Sequence, residues 1–212
     1  MIHVCTESAN AAWREAFKRV FLEGTETGNQ LYFRDEMVVF ELSSPTIETP
    51  DPLFPMPAAD LATINKFITT GANEHDVCHE WTKMYYHRIF DEPNSQIKYM
   101  LETLRESEPL RPAVASLWDK TIDQHQLVAP CTMVIWGRRR GNALELHVHA
   151  HSSDAYKKLL MNLQEFISLH HWMAGQLGLE VGKYIHVLDS CHIHREDEAV
   201  SLDLAGKLSS RG

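Results

Sequence analysis

Long apolar runs are missing from this chain: no stretch approaches the ~20 residues that crossing a bilayer requires, so a membrane span is not expected. Positive charge is scarce as well. The formal net charge is −9, whereas a nucleic-acid surface needs a basic face, so nucleic acid is not an expected partner. The start, "MIHVCTESANAAW", has neither a basic opening nor an apolar signal core, and a cytoplasmic protein is expected. Cysteine is sparse and scattered. Cys5, Cys78, Cys131 and Cys191 form no C-x-x-C pair and no even spacing, which argues against a disulfide scaffold and for free thiols. Repeats, low-complexity tracts and an H-E-x-x-H motif are also missing.

Residues 1–212 show no break in composition, so a single domain is expected. Ser8 is placed to cap an amphipathic helix running to Val20, with Trp13, Phe17 and Val20–Phe21 at helical spacing and Gly24 beyond. "NQLYF" and "EMVVFELSS" read as strands around a turn at "RDE". The segment "SPTIETPDPLFPMP" holds five prolines and reads as a surface loop. Residues 58–70 and 94–105 read as helices. Extended stretches follow at 113–118, 131–138 and 143–150. Asp154 is expected to open a helix reaching about Leu177, and "KYIHVLDSCHIH" is strand-like. This mixed order with one dominant helix predicts an α+β fold.

Histidine is abundant, at 13 residues. Over residues 143–151, strand alternation puts Leu144, Leu146, Val148 and Ala150 on one face and Glu145, His147, His149 and His151 on the other. His192 and His194 repeat the period later. The imidazole row is either the polar side of a half-exposed strand or a pocket wall. Same-face histidines on neighbouring strands also admit a zinc site, although no carboxylate has clear ligand spacing. Asn162 lies beside the apolar stripe of its helix, where its amide is either satisfied by backbone or presents a donor and an acceptor to a ligand. Cys131, after Pro130, is either a buried inert thiol or a nucleophile, and the second role needs thiolate character.

Taken in order, "YYHRIF", "SQI", "LRPAVASLWD", "APC", "HSSDAYKKLLMN", "LEVGKY" and "DSCHIHRED" resemble the thymidylate synthase family and the related pyrimidine nucleotide hydroxymethylases, especially their short archaeal and phage-like branch. The family's spacings are kept, with 20 residues from Arg111 to Cys131, 31 from Cys131 to Asn162 and 61 from Cys131 to His192. The resemblance implies a mixed sheet packed around a long central helix, and a homodimer joined through the sheet. It implies folate-dependent one-carbon transfer to C5 of a pyrimidine nucleotide, as methylation or hydroxymethylation, with Cys131 adding to C6 and 5,10-methylenetetrahydrofolate as the donor. By the same resemblance Asn162 reads the base edge, Ser152 binds phosphate, His192 binds ribose, and Arg111 is lent to the partner's site. Tyr85 stands near the nucleophile, and Asp154 and His194 complete the substrate-binding set. The catalytic carboxylate falls to Glu80, with Asp60 as the other choice.

The departures from the family pattern concern charge. His151 in "HSSD" stands where the family has arginine, Pro112 follows Arg111 where the family pairs two arginines, and His194 replaces a tyrosine. Arginine is a permanent bidentate cation, while histidine is mostly neutral near pH 7. His151 is therefore assigned to the catalytic group as the arginine's replacement. Two alternatives stay open: a diverged member that binds nucleotide without this chemistry, and a histidine-ligated metal enzyme.

Overall fold

The computed structural model describes residues 1–28, 30–91, 93–106 and 112–209. Its frame is a seven-stranded mixed sheet with helices against one face. The strands are β1 (Ile2–Thr6), β2 (Thr25–Glu26), β3 (Tyr32–Leu42), β4 (Ala113–Ser116), β5 (Thr132–Arg140), β6 (Ala143–Asp154) and β7 (Glu180–His194). Their order across the sheet is β1-β3-β7-β6-β5-β4, with β2 paired to β3. β1 runs parallel to β3 and β6 parallel to β7, and the other pairs are antiparallel. The expected α+β class is the observed one. No helix among the described residues is long and apolar enough to cross a membrane.

The helices are α1 (Ala9–Glu23), α2 (Ala58–Thr70), α3 (Glu80–Phe90), α4 (Gln96–Arg105), α5 (Leu159–Leu177) and α6 (Glu198–Ser209). α1 begins where the sequence places it, with Ser8 Oγ accepting the Ala11 N–H at 3.3 Å. That hydroxyl also donates to the Glu48 carboxylate at 2.7 Å, and Arg14 pairs with Asp51. Both bonds fasten the proline-rich loop to the start of the helix. Trp13 is fully buried and its indole N–H donates to Ala155 O at 3.0 Å, which ties α1 to the turn that leads into α5.

α5 is the central helix. Every side chain from Leu159 to His170 is buried, because the sheet covers one side and α1, α2 and α4 cover the rest. Each large apolar side chain so buried contributes roughly 1.5–3 kcal/mol, enough to carry the polar Gln164, Glu165, Ser168 and His170 inside with it. Gly178, at φ +65°, ends the helix and returns its N–H to the Ala174 and Gly175 carbonyls.

Three expectations need correction. Asp154 ends β6 and α5 begins only at Leu159; the Asp154 carboxylate instead closes the turn between them, accepting the Tyr156 and Lys157 N–H groups at 2.9 and 3.0 Å. "RDE" is not a turn, since β3 continues through it and register shifts against β7 absorb the irregularity. The periodicity also left α3 and α6 unread.

Candidate active site

The inner sheet face carries Leu144, Leu146, Val148 and Ala150, all buried, as alternation predicted. The opposite face carries Glu145, His147, His149 and His151, each half-buried. Beyond Ala150, β6 stays beside β7, pairing Ser152 with Ser190, Ser153 with Cys191 and Asp154 with His192. This end of the sheet, the start of α5 and the start of α3 enclose a cavity of about 330 Å³. Glu80, Tyr85, Cys131, Asp154, Asn162, His192 and His194 line it, which brings together seven of the residues singled out from the sequence.

Cys131 stands just ahead of β5. Its carbonyl accepts the His151 N–H at 2.9 Å, and its thiol receives the Ser152 hydroxyl at 3.5 Å. The next residue, Thr132, donates its backbone N–H to the Tyr85 hydroxyl at 2.9 Å. Burial pushes the Tyr85 phenol up, so it stays protonated. α3 is held by Arg88, whose guanidinium forks onto the buried Asp123 carboxylate at 2.6 and 2.8 Å. Tyr85 and the thiol segment are thereby kept in register.

Asn162 donates its side-chain N–H to Ser153 Oγ at 3.0 Å and remains on the cavity wall. His192 stacks on Tyr32 at a centroid distance of 4.0 Å and lies 3.3 Å from the Ser190 hydroxyl through Nδ1. His194 meets the His192 ring edge-on at 4.9 Å, with its Nε2 3.9 Å from the Asp154 carboxylate. Burial raises the Asp154 pKa. It lowers the His192 and His79 pKa values to about 4 each, Lys158 adding to the effect at His79. Both rings are therefore neutral at pH 7.

The sequence did not single out His79, Trp81, Ser153 or Lys158 as site residues, yet all line the cavity. Lys158 could have been found, lying one helical turn before Asn162, and Ser153 sits inside the quoted "HSSD". His79 and Trp81 carried no signal of their own. Ser152 touches the thiol without being among the lining residues.

The imidazole row is not a wall of this cavity. His147 packs against Trp136 at 4.7 Å and His149 pairs with Asp189 at 3.0 Å, both on the sheet face turned away from the helices. His151 is absent from the lining, and its ring meets Trp118 at 6.5 Å. Among the described residues, the one group of three able to share an ion is His3, Cys5 and Glu41, at the β1 edge. Glu80 lies at the rim, but its side chain is 80% exposed and paired with Lys83 at 2.7 Å, so its carboxylate faces solvent. Asp60 is on α2, away from the lining residues. Arg111 lies outside the described residues.

A sequence profile described as thymidylate synthase matches residues 71–205, nearly two thirds of the chain. The chain belongs to the thymidylate synthase family. It is 23% identical over 207 residues to a Methanocaldococcus jannaschii protein described as "Putative thymidylate synthase", covering 92% of this chain and 91% of that one. It is 26% identical over 121 residues to the deoxyuridylate hydroxymethyltransferase of Bacillus phage SP01, covering 55% of this chain but 32% of the phage protein. The thermostable thymidylate synthase A of Bacillus subtilis has the same fold, with a TM-score of 0.71, 16% identity, and coverage of 94% of this chain and 84% of that one.

The buried histidines should make the fold sensitive to acid. His79, His170 and His192 are lowered to about 4, and His186 to about 3, from the ordinary 6.5, burial being the first cause in each case. The neutral ring is favoured in the folded state, so their stabilising effect is complete above pH 6.5 and is lost as pH falls toward 4. Each group contributes a slope of up to about 1.4 kcal/mol per pH unit. The guanidinium midpoint should therefore fall steeply between pH 6.5 and 4; a flat midpoint over that range would contradict the buried neutral assignment.

Proposed function

We propose that this protein transfers a one-carbon unit to C5 of a pyrimidine nucleotide, with Cys131 as nucleophile and Asn162 reading the base. The observation that carries the reading is that Cys131 and Asn162, 31 residues apart in sequence, line one cavity of about 330 Å³, enough space for a pyrimidine base and part of its sugar. The Cys131 sulfur bonds to C6, moving the C5–C6 electron pair onto C5, which becomes the carbon nucleophile. When bound, 5,10-methylenetetrahydrofolate supplies the one-carbon unit and, for a methylation, the hydride. Trp81 on the cavity wall gives an aromatic ring a flat apolar surface, so the residues present suit such a donor. Loss of the C5 proton would break the bond from the one-carbon unit to the folate nitrogen and leave an exocyclic methylene on C5; hydride or water adding to that methylene would then expel the Cys131 thiolate from C6 and restore the C5–C6 double bond. Access of water to the cavity separates hydroxymethylation from methylation.

His192 and Asp154 bind the sugar side in this reading. Ser152 holds the thiol and, with Lys158, meets the phosphate. Lys158 is the one lysine or arginine among the described lining residues and offsets the arginines that the family has and this chain does not. The exposed sheet face supports a homodimer. Val39, Ile185 and Val187 on its interior strands are only half-buried, and a second copy seated there would cover them.

The solvent-facing Glu80 carboxylate favours one other reading, a nucleotide-binding member without turnover. A 5-fluoropyrimidine nucleotide separates the two, because fluorine cannot leave C5 as a proton does. With methylenetetrahydrofolate and 5-fluoro-dUMP or 5-fluoro-UMP, intact mass spectrometry should find a covalent complex that maps to Cys131. Tight binding without that complex would leave the non-catalytic reading.

A further inference from the structure

Behind the cavity wall lies a carboxyl group with no evident structural task. Glu165 follows Asn162 by three residues on α5, which places the two nearly above one another on the helix. Its side chain is fully buried, and neither carboxylate oxygen has a hydrogen-bond partner among the described residues. Burying a carboxyl without partners is costly, and a leucine would fill a core position of this kind without that cost. Among the described residues, the one polar side chain that acts on it is Thr82 of α3, which favours the ionised form although no hydrogen bond is closed between them. Thr82 is itself fully buried, and its hydroxyl lies 3.0 Å from His79 Nδ1. The His79 ring lines the cavity. Carboxyl, hydroxyl and imidazole thus stand in sequence from the core to the site.

We propose that Glu165, Thr82 and His79 form a proton path into the cavity, with Glu165 as its internal reservoir. The substrate end of this path rests on the reading of the cavity as a pyrimidine nucleotide site. In the forward direction the Glu165 carboxyl O–H breaks and its proton passes to Thr82 Oγ1. Thr82 gives its own proton to His79 Nδ1, and His79 releases its Nε2 proton to the bound base, where adduct formation develops negative charge. Glu165 is left as carboxylate, Thr82 is unchanged, and His79 is neutral in its other tautomer. The reverse sequence resets the path.

The electrostatics agree with this direction of flow. Burial pushes Glu165 up to about 8, so it holds its proton at pH 7. Among the described residues, the ionisable groups acting near it are Tyr85 on α3 and Tyr184 on β7, both kept protonated by burial, and no cation acts on it. His79 feels Lys158, which lowers it, and Glu80, which raises it. A neutral imidazole passes a proton by exchanging tautomers and needs no buried cation.

Two measurements test the path. The first requires no turnover. In wild type, the His79 ring resonances should show an inflection near pH 8 from Glu165, and Glu165→Gln and Thr82→Val should each remove it. His79 resonances that ignore both substitutions would overturn the path even if the protein proved inactive on every nucleotide. The second is steady-state kinetics of the C5 reaction. Glu165→Gln should keep nucleotide affinity, lower kcat by about 100-fold and lose the pH dependence centred near 8, with Thr82→Val behaving alike and Thr82→Ser recovering most of the loss. Wild-type kcat and pH profile in Glu165→Gln would overturn the proposal. If Glu165→Gln fails to fold, equal kcat in Thr82→Val and Thr82→Ser overturns it. Absence of turnover by wild type would instead count against the nucleotide reading, while the resonance titration still decides the path.

Discussion

Cys131→Ala should abolish one-carbon transfer, with a loss of about 10⁴–10⁶-fold in kcat, while nucleotide affinity changes by a few-fold at most. The asymmetry follows from the position of the thiol. The sulfur touches Ser152 at 3.5 Å and lines the cavity, but the Tyr85 bond to Thr132 and the His151 bond to the Cys131 carbonyl involve backbone. They survive truncation of the side chain, so the pocket keeps its shape and loses only the bond-forming atom. Parallel titration calorimetry and turnover assays check this. Equal loss of binding and turnover would make Cys131 a packing residue.

Asn162→Asp should lower kcat/KM for a uracil nucleotide by about 100-fold and move the preference toward cytosine. The amide offers one acceptor and two donors, and Ser153 Oγ takes one donor at 3.0 Å. A carboxylate replaces the remaining donor by an acceptor. Facing a uracil carbonyl it would leave two acceptors opposed in a buried place, which costs about 1–3 kcal/mol. Facing the cytosine amino group it can accept a hydrogen bond. Competition between dUMP and dCMP in one reaction measures the shift directly, and an unchanged ratio would remove Asn162 from base recognition.

Much of this arrangement was legible in the sequence because it rests on short-range rules. Ser8 and Gly24 bound α1 and alternation sorted residues 144–151 onto two faces, while the link from Cys131 to Asn162 and His192 came from the resemblance to the thymidylate synthase family. What failed depended on what covers a surface. Strand period shows that His147, His149 and His151 share a face, but it does not say that the cavity lies at the strand end beyond them. Sequence also could not show that Glu80, on the cavity lining, pairs with Lys83 on the solvent side. Gln164, Glu165 and Ser168 look like the wet side of an amphipathic helix. α5 is enclosed on all sides from Leu159 to His170, and that enclosure comes from long-range packing of α1, α2 and α4 against the sheet.

The most direct test of the account is release of tritium from C5-labelled dUMP, UMP, dCMP and CMP, with and without methylenetetrahydrofolate. The account predicts folate-dependent release from one of these substrates, lost in Cys131→Ala, with absorbance at ~340 nm then separating dihydrofolate-forming methylation from hydroxymethylation. No release from any of the four, in protein that binds them, would contradict it.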